Sequence, residues 1–362
     1  MKQEYQTRLH SLRALMQSNG CEALMIFSPA NLRYLAAYSG EAACALITQE
    51  QLHLITDYRF ITQAEQECAG WHCYCRDREA ETLGQVVQKL LLQSGVRQAA
   101  FEAAEVSVQN WAQIAQDSAG IQWTPAPLWT EQLRRRKDAS ELALIQRCAA
   151  IADQALAETL PLLRPGISEA EFALELDFRM RRLGAEALSF ETITGFGERS
   201  ALPHSIPSER RLREGDLIVL DFGASVGGYR SDMTRTYIAG EPDARQQAMY
   251  KAVTQAQQAA LAVIRDGISA READLTARAV LAEHGFAQQA GSSLGHGVGL
   301  CLHEQPIMTP KCEEILRSGY VVTIEPGVYI PGFGGVRLED DVLITEHGYQ
   351  LLTHSPQPFR LT

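Results

Sequence analysis

Leu212-Arg-Glu-Gly-Asp-Leu-Ile-Val-Leu-Asp-Phe-Gly223 recurs from position 316 as Leu316-Arg-Ser-Gly-Tyr-Val-Val-Thr-Ile-Glu-Pro-Gly327. Both copies open on Leu-Arg-x-Gly, continue through an apolar run and close on acid-x-Gly, so Asp221 and Glu325 hold equivalent places. The likeness continues upstream, where Arg164-Pro-Gly-Ile-Ser-Glu-Ala-Glu171 matches Arg265-Asp-Gly-Ile-Ser-Ala-Arg-Glu272. Downstream, Tyr229-Arg-Ser-Asp232 resembles Val336-Arg-Leu-Glu339. Residues 138 to 240 and 243 to 346 therefore read as two related halves. Two copies at so long a period exclude a solenoid and imply a pseudo-symmetric domain with something held between its halves.

Composition narrows the class. The chain has 362 residues, 46% hydrophobic and 21% charged, which suits a soluble protein of two domains with a large core. A formal charge of −11 argues against a nucleic-acid surface, because binding phosphates needs a basic stripe. The one basic run, Arg134-Arg-Arg-Lys137, reads as a solvated linker. No apolar run reaches the roughly 18 residues of a membrane span, and the N-terminus lacks an apolar signal region, which predicts a cytoplasmic protein without membrane partners. Eight scattered cysteines suit reduced thiols. Cys73-Tyr-Cys75 beside His72 has no second ligand pair at zinc spacing.

Up to residue 127, the apolar segments Ala23-Leu-Met-Ile-Phe27, Ala43-Cys-Ala-Leu-Ile-Thr48 and Leu52-His-Leu-Ile-Thr56 read as strands. Segments near 3–18, 58–68, 79–94 and 107–116 carry helical spacing. An α/β domain over 1–127 follows, with Thr124-Pro-Ala-Pro-Leu-Trp129 as the linker into a second domain over 128–362. Each half of that domain opens with two helices, the second preceded by Ser168-x-x-Glu171 or Ser269-x-x-Glu272, the pattern of a capping box. Strands rich in Val, Ile, Leu and Tyr follow, predicting an α+β domain with a largely antiparallel sheet.

The acids converge in this scheme. A hairpin centred between Val226 and Gly227 sets Asp221 opposite Asp232, with Cβ atoms about 4.5–5.5 Å apart. Glu325 and Glu339 face each other similarly across Pro331-Gly-Phe-Gly-Gly335. Four carboxylates brought together repel unless protonated or metal-bound, and two divalent ions cancel their charge. His296, in Gly295-His-Gly-Val-Gly-Leu-Cys-Leu-His-Glu304, adds a fifth donor. Such a set favours manganese, cobalt, iron or zinc, and two such ions can share a hydroxide that attacks a carbonyl. Taken singly, each acid has a plainer reading as a turn or capping residue, and His204 one as an ordinary loop histidine. His303-Glu304-Gln305-Pro306 is not a zinc helix, since Ile307 stands where the second histidine would be and Pro306 opposes a helix.

Together, Asp221 and Asp232, His296, Glu325 in Glu-Pro-Gly-Val-Tyr and Glu339 in Gly-Val-Arg-Leu-Glu-Asp strongly resemble the dinuclear-metal pita-bread peptidases, in particular the aminopeptidase P and prolidase (Xaa-Pro peptidase) branch. Asn31-Leu-Arg-Tyr-Leu35 and Thr56-Asp-Tyr-Arg59 are similar to that branch's creatinase-like N-terminal domain. The resemblance implies a pseudo-twofold pita-bread domain in which Asp221, Asp232, His296, Glu325 and Glu339 bind two divalent ions, manganese before cobalt, zinc or iron. It implies Glu325 as proton shuttle, His204 beside the leaving group, His303 on the substrate carbonyl and Arg337 orienting ligand carboxylates. It further implies a small peptide substrate with proline at the second position, and a homodimer. Two positions depart from the branch: Ser292 replaces a histidine of several members, and Glu198-Arg-Ser200 an asparagine-like residue. The competing readings are a methionine-type aminopeptidase and a non-catalytic pita-bread binding module. The retained donor set speaks against the latter, and the large N-terminal domain and Arg337 against the former.

Overall fold

A computed structural model describes residues 1–361 of the chain, which divide into two compact units, Met1–Arg134 and Arg135 onward. The first unit runs α1 (Gln3–Ser18), β1 (Ala23–Ile26), α2 (Pro29–Ala36), β2 (Cys44–Thr48), β3 (Leu52–Thr56), α3 (Ile61–Glu67), β4 (His72–Cys75), α4 (Leu83–Gln93), β5 (Gln98–Phe101), α5 (Val108–Asp117), β6 (Gln122–Pro125) and α6 (Trp129–Arg134). Its six strands lie in the order β4-β3-β2-β1-β5-β6, mixing parallel and antiparallel pairs. β1 and β2 are buried along their whole length, as their unbroken apolar runs require.

The proline-rich stretch read as a linker overlaps the end of β6 at Thr124 and Pro125 and leads into α6. Pro125 ends this edge strand, where a missing N–H costs no ladder bond. The following helix α6 packs on α1 and α2, so the chain stays with the first unit until Arg134. The basic run is solvated only in part: Arg136 is exposed, but Arg134 and Lys137 are buried, and Arg134 Nη1 donates to Asn31 Oδ1 at 2.7 Å.

The second unit is the pseudo-symmetric one. Its first half runs α7 (Ala139–Thr159), α8 (Glu169–Arg182), β7 (Ala187–Leu188), β8 (Ile193–Phe196), β9 (Leu217–Phe222), β10 (Ala224–Val226), β11 (Tyr229–Arg230) and β12 (Met233–Ile238). The second half runs α9 (Ala244–Val263), α10 (Ala270–Glu283), β13 (Gly295–Gly297), β14 (Glu304–Met308), β15 (Val321–Ile324), β16 (Gly327–Ile330), β17 (Gly334–Arg337), β18 (Asp340–Ile344) and β19 (Tyr349–Leu351). All strand pairs here are antiparallel. Each helix pair buries its apolar stripe in a core of its own half: Phe172, Leu176 and Met180 in one, Ala273, Ala277 and Leu281 in the other. Among the described residues no helix is long and apolar enough to cross a membrane.

Register decides how the acids meet. Asp221 pairs with Thr234, not with Asp232, because the hairpin turns on Gly227-Gly228, both at positive φ, one residue later than the sequence suggested. Moving a hairpin centre by one residue moves every partner by two, so Asp232 stays on the face of Asp221 but lies diagonal to it. In the second half Ile324 pairs with Asp340 and Gly327 with Arg337. That register sets Glu325 directly opposite Glu339 between the two ladders.

The capping boxes also differ. Ser168 Oγ accepts from Glu171 N at 3.1 Å while Glu171 Oε2 accepts from Ser168 N at 2.8 Å. Ser269 Oγ accepts from Glu272 N at 3.1 Å without the return bond. Glu171→Ala is therefore expected to lower the urea midpoint, and Glu272→Ala to lower it by less, measured by urea denaturation. Equal losses would contradict the asymmetry.

Candidate metal centre

One cavity of about 1060 Å³ in the second unit is lined by all eight side chains singled out from the sequence: Asp221, Asp232, His296, Glu325, Glu339, His204, His303 and Arg337. β9 supplies Asp221, the bend between β11 and β12 supplies Asp232, and β13 supplies His296. Glu325 and Glu339 stand at the breaks between β15 and β16 and between β17 and β18. Apolar strand interiors thus fix the backbone; Asp232, Glu325 and Glu339 sit where the ladders are interrupted, and Asp221 one residue inside the end of β9.

Donor atoms of Asp232, His296 and Glu339 lie within 4.8 Å of one another, and all three residues are buried. His296 Nε2 stands 3.5 Å from Asp232 Oδ2 and 3.4 Å from Glu325 Oε1. Its Nδ1 lies 3.0 Å from the carbonyl oxygen of Gly297. A carbonyl only accepts, so Nδ1 carries the proton and the neutral ring turns the Nε2 lone pair toward two acidic oxygens. Burial favours that neutral form by lowering the His296 pKa. An imidazole lone pair facing carboxylates is repulsive without a cation between them. Asp221 Oδ1 is moreover buried with no hydrogen-bond partner. The residues fit a divalent-metal site on both counts.

The surroundings aim these groups. Arg337 Nη2 donates to Asp221 Oδ2 at 2.5 Å, its Nη1 to Tyr329 Oη at 2.8 Å and Pro203 O at 3.2 Å, and its Nε to Thr234 Oγ1 at 2.9 Å. Thr234 Oγ1 donates to Glu339 Oε2 at 2.6 Å, and Thr323 Oγ1 to Glu325 Oε1 at 3.1 Å. Asp341 Oδ2 accepts the Asp232 amide at 2.9 Å. Tyr329, Thr234, Thr323 and Asp341 were not singled out from the sequence. Thr234 and Thr323 sit two residues from Asp232 and Glu325, on the same strand faces, and that spacing is the signal that could have found them. His204 and His303 are exposed to the cavity, and the His303 ring meets that of His296 edge-on at 4.4 Å between centroids.

Burial, then the field of neighbouring acids, raises the Asp232 and Glu339 pKa values well above the usual range. Burial pushes Glu325 up to about 7, with Asp221 adding to the effect and Arg337 opposing it.

Known proteins resemble the chain in sequence and in fold. Residues 143–346 match metallopeptidase family M24 and residues 8–136 the creatinase/prolidase N-terminal domain. The chain is 37% identical over 350 residues to the uncharacterized peptidase YqhT of Bacillus subtilis, covering 97% of this chain and 98% of that one. Among solved structures it is similar to the Xaa-Pro dipeptidase from Bacillus anthracis, with TM-score 0.95, 35% identity and coverage of 99% and 100% of the two chains. It is also similar to the X-Pro aminopeptidase from Thermotoga maritima, with TM-score 0.88, 32% identity and coverage of 94% and 98%. Fold and site define a two-domain metallopeptidase, with a creatinase-type first domain and a pita-bread second domain. The chain belongs to metallopeptidase family M24.

The raised carboxyl pKa values give a prediction. An acid that binds its proton more tightly folded than unfolded contributes stability at low pH and loses it as pH rises through the folded value. Metal-stripped protein is thus expected to lose thermal stability as pH rises from 4.5 to about 7, the interval between the ordinary and folded values for Glu325, and to regain it with added Mn2+. A metal-free Tm that climbs over this interval contradicts the charge assignment.

Proposed function

We propose that this enzyme hydrolyses the bond between an N-terminal residue and a following proline, with Asp221, Asp232, His296, Glu325 and Glu339 holding two divalent ions, manganese foremost. The single observation that carries the reading is the His296 Nε2 lone pair facing Asp232 and Glu325 oxygens at 3.5 and 3.4 Å. The Xaa-Pro dipeptidase of Pyrococcus horikoshii, 43% identical over 221 residues covering 61% of this chain and 63% of that one, supports the substrate class. The reading extends to a cytoplasmic homodimer.

Divalent metal, when bound, neutralises the acids, acidifies water and polarises a carbonyl. The scissile nitrogen of an Xaa-Pro bond is tertiary and needs a proton as it leaves. Glu325 lines the cavity and is placed to deliver one from attacking water. His303, whose pKa is lowered by partial desolvation and then by the neighbouring His296 and His204, offers an N–H to the carbonyl oxygen as charge develops there. His204 borders the same cavity on the leaving-group side. Arg337, held by its bonds to Asp221, Thr234, Tyr329 and Pro203, orients Asp221.

A narrower reading concerns peptide length. Apart from histidines, Arg337 is the one cationic side chain lining the cavity among the described residues, and it is already engaged. This favours peptides whose terminal carboxylate lies beyond the cavity over free dipeptides.

Metal analysis of purified protein is expected to find ~2 divalent ions per chain, and Asp232→Asn to lower metal content and reduce kcat/KM by at least ~100-fold with the fold retained. Protein that takes up no divalent ion overturns the reading. An Ala-Pro-Ala substrate is expected to give a higher kcat/KM than Ala-Pro, and Met-Ala peptides a lower one than either; Met-Ala preference would favour the methionine-type alternative.

A further inference from the structure

Lys137, the last residue of the basic run, has no part in the donor set, yet its side chain is 1% exposed and its Nζ lies 3.1 Å from Glu304 Oε2, itself on a side chain 7% exposed. A buried ion pair is a poor source of net stability, because desolvating both charges offsets their attraction. Its location suggests another use.

Glu304 follows His303 and opens β14. Its Oε1 accepts from the Cys301 amide at 3.0 Å and its Oε2 from Lys137, so one carboxylate closes the turn that carries Leu302 and His303. The lysine is itself anchored. Lys137 N donates to Gly319 O at 2.8 Å, Arg136 bridges Tyr320, and Arg135 pairs with Glu314 at 2.9 Å. These contacts tie residues 135–137 to the segment that leads into β15, the strand ending beside Glu325. The other side of the turn is equally tight: a Cβ at Gly299 would come within 2.8 Å of Glu304 Oε2. The third glycine of Gly-His-Gly-Val-Gly thus leaves room for this carboxylate. His303, with its ring against His296, lines the cavity beside Leu302 on the turn so fixed and is the polar group that the turn presents there.

We propose that Lys137 and Glu304 are positioning residues for His303, the buried pair fixing the turn that presents its imidazole to substrate. The proposal rests on the reading of His303 as a substrate-facing group. Lys137→Met is expected to lower kcat by roughly 10- to 100-fold, the cost of a displacement near 1 Å, with metal content unchanged. Because the effect passes through His303, the Lys137→Met/His303→Ala double variant should be no slower than His303→Ala alone.

A reading independent of turnover separates failure of this coupling from failure of the proposed reaction. In spectra of protein carrying 13C-labelled histidine, His303→Ala identifies the His303 imidazole signal, and Lys137→Met is expected to shift that signal while those of His10, His53 and His72 stay in place. Glu304→Gln, which keeps the side-chain shape and removes the charge, serves where Lys137→Met does not fold and is expected to behave the same way. An unmoved His303 signal, or rate losses that add in the double variant, overturns the proposal.

Discussion

Buried negative charge in excess of its one fixed counter-charge, Arg337, is the constraint on which this molecule depends. Asp221, Asp232, Glu325 and Glu339 line one cavity with the His296 lone pair directed among them. At a few ångströms and reduced dielectric, each like-charge contact costs several kcal/mol. Protonation relieves the repulsion but removes the donors; divalent metal relieves it and keeps them. The fold makes room for the second solution. Asp232, Glu325 and Glu339 sit at the breaks between ladders and Asp221 beside one, where side chains from the two halves reach a common cavity.

Pseudo-symmetry explains how so many acids arrive together, and its imperfections explain how they differ. Each half contributes two antiparallel ladders with a break between them, so each supplies a pair of acids. In the first half the partners are diagonal, Asp221 facing Thr234. In the second, Glu325 lies directly opposite Glu339, between the Ile324–Asp340 and Gly327–Arg337 pairs. Only the second half adds the His296 strand and the His303 turn. The repeated scaffold therefore carries metal-suited donors on both sides and substrate-suited groups mostly on one.

Much of this was legible in the chain because repetition is visible without coordinates. The paired Leu-Arg-x-Gly…acid-x-Gly segments located Asp221 and Glu325, the hairpin reading added Asp232 and Glu339, the glycine-bracketed His296 made the fifth donor, and resemblance to a known family named His204, His303 and Arg337. What escaped has physical reasons. The hairpin register turns on which two residues adopt positive φ, and Val226-Gly227-Gly228 permits two choices. Strands β4 to β6 are short and partly exposed at their ends, so they lack a clean period. The burial of Arg134 and Lys137 depends on Asn31 and Glu304, partners far away in sequence, and no local pattern announces it.

Fixed cations sharpen the picture. Arg235 pairs with Asp340 Oδ1 at 2.7 Å, while Gln257 and Gln357 donate to Asp340 Oδ2, so this acid is fully satisfied by the protein. Glu304 has both oxygens engaged by Lys137 and the Cys301 amide. Asp221 differs: Arg337 takes Oδ2 and leaves Oδ1 buried without a partner. Asp341 likewise spends Oδ2 on the Asp232 amide and keeps Oδ1 unpartnered. Permanent guanidinium and ammonium charge thus surrounds the centre and stops short of it. Were Asp221 paired on both oxygens, as Asp340 is, an exchangeable ion would have to displace an arginine to bind. Leaving one oxygen open fixes the direction of the Asp221 carboxylate and keeps its coordinating capacity; Asp341 also keeps an open oxygen but does not line the cavity, so an open oxygen and a place on the cavity wall together make an acid suited to metal.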